Sequence, residues 1–276
     1  MTYNQLVEQI GLKRSFLCVG LDSDRSLLPA HLQLHPQALF LFNKEVIDST
    51  AAYAVAYKLN TAFYEAEGTN GWAQLSQTVS YIRERHPNIL VIADAKRGDI
   101  SNTAKHYARA FFEEMNVDAL TLSPYMGTDS LTPFLEYKEK WTIILALTSN
   151  SGASDFELQL LANGQPLYEA VIQKSCTLGA KEQLMFVVGA THPQQLVRVR
   201  ALLPEHFLLV PGVGAQGGSL EEVVQNGMND SCGLLVNMSR GIIFADNSRH
   251  FADAAGLRAK EMTQKMSALL PQSLVG

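Results

Sequence analysis

Eight short apolar runs recur along the 276-residue chain: FLCVG (16–20), YAVAYKL (53–59), ILVIAD (89–94), DALTL (118–122), TIILALT (142–148), LMFVVG (184–189), FLLVPG (207–212) and GLLVN (233–237). They are rich in Val, Ile and Leu and show no polar–apolar alternation, the pattern of strands covered on both faces. Between them lie segments with helical periodicity. In WAQLSQTVSYIRERH, for example, Leu75, Val79 and Ile82 share one face. A strand-then-helix unit repeated eight times, without a Pro/Ser-rich linker or a break in composition, predicts an α/β fold. Its form is a single (β/α)8 TIM barrel domain over residues 1–276. A doubly wound open sheet is the alternative. A helix over 1–14, with Leu6, Ile10 and Leu12 on one side, is expected before the first strand, and a helical tail over about 256–276 after the last.

With 47% hydrophobic and 18% charged residues, a chain of this length buries a large core. The net charge of −5 provides no global field for nucleic acid or for an anionic membrane, so neither is an expected partner. An anionic substrate needs a local cluster of donors. No apolar run of about 18 residues occurs, and the N-terminus lacks the apolar centre of a signal peptide. Cys18, Cys176 and Cys232 are far apart and read as reduced thiols. The expected location is the cytoplasm.

In a barrel of this kind the C-terminal ends of the strands form one mouth, where sites are built. Standing there are Asp22 in GLDSD, Lys58 and Asn60 in YKLN, and the stretch DAKRGDI (94–100). The later strands contribute TSNSG, PGVGAQGG and NMSRG. Side chains alternate along a strand, so Asp94 and Lys96 are expected to face the same way. Asp99, beyond Gly98, has three possible destinations. It could turn back into its own mouth, reach a neighbouring subunit, or cap the helix that begins at ISNTAK. Flanking carboxylates favour the ammonium form, which makes Lys96 a proton donor rather than a Schiff-base nucleophile. An ion-pair network that merely closes the barrel is the plainer reading, weakened because buried pairs roughly break even in energy.

Glycine-rich GVGAQGG after the seventh strand and Arg240 after the eighth suit an anion, phosphate above all. Residues 212–217 also match G-x-G-x-x-G, but that dinucleotide fingerprint belongs in a first βα turn. A loop without a ligand is the remaining reading. The seven histidines (31, 35, 86, 106, 192, 206, 250) form no H-E-x-x-H or paired Cys/His set, so no metal site is expected. Mg²⁺ between Asp22 and Asp94 is a minor reading. Ser-His-Asp catalysis lacks a G-x-S-x-G elbow.

Taken together and in this order, GLDSD, YKLN, DAKRGDISNT, VPGVGAQGG and NMSRG resemble the orotidine 5′-phosphate decarboxylase family, closest to its longer bacterial branch, over roughly residues 15–245. The resemblance implies decarboxylation of orotidine 5′-phosphate (OMP) to UMP, the final step of de novo pyrimidine nucleotide synthesis, without cofactor. It also implies a homodimer with shared active sites. In its terms Lys58, Asp94, Lys96 and the partner's Asp99 form an alternating charge network, with Lys96 protonating C6. Asp22 and Lys58 hold the ribose hydroxyls. Ile100 and Thr103 from the partner line the base and ribose pockets, and Ser149 meets the pyrimidine edge. Pro211 and Gln216 belong to a loop over 211–218 that closes on the phosphate, gripped also by Arg240 and Gly241. One departure is visible: the family's TSNPG reads TSNSG here, with Ser151 for proline. The D-x-K-x-x-D motif is shared with Mg²⁺-dependent sugar-phosphate decarboxylases and aldolases. Those relatives carry an acidic residue where this chain has Lys58. A catalytically silent nucleotide-binding barrel is the non-enzymatic alternative.

Overall fold

A computed structural model describes residues 1–190, 193–214 and 217–274. Eight parallel strands close into a barrel in chain order: β1 (Leu17–Gly20), β2 (Ala54–Asn60), β3 (Leu90–Arg97), β4 (Ala119–Leu122), β5 (Trp141–Leu147), β6 (Leu184–Val188), β7 (Phe207–Pro211) and β8 (Leu234–Met238). Closure comes from β1 pairing with β8, where Leu17 stands opposite Val236 and Val19 opposite Met238. Each of the eight predicted runs forms one of these strands. Buried residues occupy almost every strand position, because helices cover the outside and side chains fill the inside. The open-sheet alternative is thereby excluded.

Helices pack round this barrel by their apolar stripes. Leu75, Val79 and Ile82 of the Gly68–Arg85 helix are buried, as their spacing requires. The first helix, Tyr3–Lys13, opens with a capping box between Thr2 and Gln5. Leu6 and Ile10 are buried, whereas Leu12 is 71% exposed. Two residues beyond Ile10, Leu12 lies about 200° round the helix and cannot share the buried face. Cys18 and Cys232 are buried, Cys176 is half-buried, and all three are free thiols.

The tail helix runs Phe251–Leu269, beginning five residues before the expected 256. A break is natural to read at Gly256. Instead Gly256 is a contact point: a Cβ there would sit 3.0 Å from the Ser49 carbonyl oxygen of the Ala38–Thr50 helix. Phe251 stacks on Phe42 with ring centroids 5.0 Å apart, and Ala255, Ala259 and Met266 continue the buried stripe. The tail is thus packed as tightly as the barrel helices. Met266→Ala is expected to lower the unfolding free energy by about 2–5 kcal/mol in urea denaturation, with a single transition. A change below about 0.5 kcal/mol would mark the tail as an appendage.

Candidate active site

Strand register brings the charged residues together. Lys58 on β2 is paired opposite Ile92 on β3, and Asn60 opposite Asp94. Paired residues in neighbouring strands share a face, and Asp94 lies two residues beyond Ile92. Lys58 and Asp94 therefore both enter the barrel mouth. Lys58 Nζ lies 3.1 Å from Asp22 Oδ1 and 3.2 Å from Asp94 Oδ2, and Lys96 Nζ lies 2.7 Å from Asp94 Oδ1. The four groups alternate in sign, Asp22–Lys58–Asp94–Lys96, and their formal charges cancel. Lys58 is buried, whereas the Lys96 side chain is half exposed to the mouth.

Burial alone would favour neutral Lys58, but the charges of Asp22 and Asp94 outweigh it and hold its pKa above the ordinary lysine value. Burial likewise acts to raise the Asp94 carboxyl. The charges of Lys58 and Lys96 overcome it, helped by hydrogen bonds from Lys96 and Thr121, and bring it down to about 2. Lys58 and Asp94 are both ionised throughout the neutral range, so charge stands in the mouth before any substrate arrives.

The flanks of Asp22 are tied down on both sides. Tyr64 donates its hydroxyl hydrogen to the Leu21 carbonyl (2.9 Å) and accepts from Asn43 Nδ2 (2.9 Å). Ser23 Oγ donates to Asn43 Oδ1 at 2.5 Å. This buried network joins the Ala38–Thr50 helix to the turn after β1 and fixes the aim of the carboxylate. Nothing in the sequence marks Asn43 or Tyr64 for this role beyond their being polar groups on buried helix faces.

A cavity of about 550 Å³ occupies the mouth. The charged residues of β1–β3 form one wall. Leu145, Val187 and Leu209, in register on β5, β6 and β7, form an apolar wall. Ser149 also lines the cavity. The end of β6 approaches it so closely that a Cβ on Gly189 would lie 2.7 Å from Ser149 Cβ. The TSNSG loop is held although Ser151 stands where the resemblance implies proline. Glu157 accepts the Thr148 backbone N–H (2.7 Å) and its hydroxyl (2.9 Å), and a 3-10 turn spans Ser151–Asp155.

Pro211, Gly212 and Val213 meet Arg240 and Gly241 in the cavity wall. Ser239 Oγ donates to the Gly20 carbonyl (3.0 Å), anchoring the loop after β8 over the end of β1. A Cβ on Gly20 would lie 2.8 Å from Ser239 Cβ, so glycine is what permits this approach. Within the glycine-rich loop three amides are already engaged. Gly214 and Gly218 donate their N–H groups to the Gly218 and Gly212 carbonyls, and Gly217 donates to Gly214. Gln216 lies outside the described residues.

Asp99, Ile100 and Thr103 do not line this cavity. Asp99 is half-buried and its Oδ1 accepts the Ile100 N–H (2.8 Å), while the Ser101–Arg109 helix has no side-chain cap. Neither a cap nor a place in its own mouth describes Asp99. Ile100 is 47% exposed, and Thr103 is exposed.

This constellation has close relatives among known proteins. The orotidine 5′-phosphate decarboxylase / HUMPS family profile matches residues 15–255. The chain belongs to this family. An orotidine 5′-phosphate decarboxylase from Bacteroides fragilis is 54% identical over 270 residues, covering 98% of both chains. Another, from Phocaeicola vulgatus, is 53% identical over 99% of this chain and 100% of its own. Among solved structures, the OMP decarboxylase of Leishmania donovani superposes with a TM-score of 0.82 at 36% identity, covering 98% of each chain.

Lys58 occupies the centre of the charged row. Its ammonium stands between the two carboxylates, the position a divalent cation would need. Among the described residues no group of three or more His, Cys, Asp or Glu side chains is arranged to hold a metal. Besides Asn43 and Tyr64, sequence reasoning missed Thr121 and Glu157, which touch or support the predicted residues from ordinary-looking strand and loop positions.

The depressed Asp94 value has a consequence for acid stability. Because the folded pKa lies below the ordinary 3.8, the stabilisation is complete above that value and vanishes as pH falls through about 2. The drop corresponds to about 2 kcal/mol. Lowering pH from about 5 towards about 2 is expected to cost the native protein about 2 kcal/mol more than it costs Asp94→Asn, read from urea midpoints. Parallel acid limbs would contradict the ionised, paired Asp94.

Proposed function

We propose that the chain removes CO2 from C6 of orotidine 5′-phosphate to give UMP, with Lys96 as the proton donor. The observation that carries this assignment is the Asp22–Lys58–Asp94–Lys96 series, continuous from a buried lysine to one half exposed in the cavity. Loss of CO2 leaves an electron pair in the plane of the pyrimidine ring, where it cannot spread into the carbonyl π-system. A fixed cation beside C6 stabilises that charge as it develops and then supplies the proton. Asp94 faces the departing carboxylate and holds Lys96 in position. Lys58 keeps Asp94 ionised at the cost of no net charge.

Asp22 and Lys58 take the ribose hydroxyls, Ser149 the pyrimidine edge, and Arg240 and Gly241, with the Pro211–Gly218 loop and its Gln216, the phosphate. Binding the phosphate far from C6 lets remote binding energy support the chemical step. Gly214, Gly217 and Gly218 donate within the loop, so the anion is met by its other amides or by these three once released. No cofactor enters the scheme.

The active form is a homodimer in which Asp99, Ile100 and Thr103 of each subunit complete the other's site. These three residues stand outside their own cavity, and the loops after β3, β4 and β5 expose Ile100, Tyr125, Met126 and Phe156 on the same mouth. An apolar rim of that kind suits a second copy. The reaction belongs to the cytoplasm, where pyrimidine nucleotides are made. Among the described residues no helix is long and apolar enough to cross a membrane.

Lys96→Ala and Asp99→Ala are each expected to be inactive while still binding UMP. Mixed under conditions that exchange subunits, they should recover about a quarter of the native activity, since half of the dimers are mixed and each has one intact site. No recovery despite proven exchange would contradict the shared site.

A further inference from the structure

We infer that Thr121 is a positioning residue for the decarboxylation, its single hydroxyl setting both the Asp94 carboxylate and the backbone of Lys96. The inference rests on the reaction proposed above. It starts from an irregularity in the sheet. β3 and β4 pair as Ala93 with Leu120 and then as Arg97 with Leu122. Residues 94–96 of β3 are therefore opposed by Thr121 alone, a bulge located where the charged residues stand. Within it Lys96 adopts φ +46°, a left-handed conformation that lysine adopts only when its surroundings require it.

A bulge takes a backbone N–H away from the ladder, and a buried N–H needs another acceptor. Thr121 Oγ1 accepts the Lys96 N–H at 2.9 Å and donates to Asp94 Oδ1 at 2.9 Å. The direction of both bonds is fixed, because an amide can only donate and an ionised carboxylate can only accept. Asp94 thus receives three donors: Lys58 on Oδ2, Lys96 Nζ and Thr121 on Oδ1. Two of them are ammonium ends of long side chains. Thr121 is short, fully buried and rooted in the middle of a strand, so it alone ties the carboxylate to rigid backbone. It does not line the cavity and so touches no reacting atom. Its contribution passes through Asp94 and Lys96. Within DALTL its hydroxyl has the look of an ordinary buried strand threonine.

Three substitutions separate positioning from packing. Thr121→Val keeps the shape and removes the hydroxyl, Thr121→Cys replaces it with a poor hydrogen-bonding thiol, and Thr121→Ser keeps the hydroxyl and loses only the methyl group. With OMP as substrate, Val and Cys are expected to lower kcat about 10- to 100-fold, the effect of one hydrogen bond to a charged group. KM and the Kd for UMP should stay within about threefold, because the groups that bind substrate are untouched. Ser should retain kcat within about threefold of native. Should the valine variant not accumulate, the Cys–Ser pair carries the same comparison. Native kcat in Val or Cys, or a loss in Ser as large as theirs, would overturn the positioning role and leave Thr121 as packing. A native protein inactive on OMP would instead remove the reaction itself, and the proposal with it.

Discussion

The ammonium of Lys58, held between Asp22 and Asp94 beneath the mouth of the barrel, is the interaction on which the rest of the site depends. Two carboxylates brought this close repel each other, and one would take up a proton if nothing stood between them. With Lys58 in place Asp94 remains charged and is free to hold Lys96 on its other oxygen. Compared with well-packed apolar residues in its place, such an arrangement adds little to stability, because removing ions from water offsets most of what their attraction returns. Its value for the proposed reaction lies in preorganisation: charges already in place need no solvent to rearrange.

The barrel divides the labour by strand. The paired charges stand at the ends of β1–β3, an apolar wall stands on β5–β7, and Arg240 with its neighbouring glycines follows β7 and β8. An apolar wall opposite a row of fixed charges lowers the local dielectric and strengthens their field. Glycines at 20 and 189 draw the strand ends together so that these walls close on one cavity. The floor beneath is packed hydrophobic core, which gives the network a rigid base.

Much of this was legible in the sequence. All eight strands declared themselves because strands buried on both faces have no polar alternation, and the strand-end rule led directly to Asp22, Lys58, Asp94 and Lys96. Alternation correctly put Asp94 and Lys96 on one side, yet it passed over the means. A bulge with a left-handed lysine depends on the register between two strands, which no single run displays. Thr121 and Glu157 were missed for the same reason, being ordinary residues whose role exists only across a strand boundary or a loop. Asp99 stayed ambiguous because it does not line its own cavity, and the shared site proposed for it needs a second chain that one sequence does not display.

The central claim is that fixed side-chain charges, with Lys58 where a cation would otherwise be needed, carry the decarboxylation. It is tested most directly by giving orotidine 5′-phosphate to the EDTA-treated protein and following the loss of the substrate's ultraviolet absorbance, with UMP and CO2 identified as products. The expected result is rapid conversion at a rate that added Mg²⁺ does not raise. No conversion of OMP, together with Mg²⁺-dependent turnover of a sugar phosphate, would contradict the account.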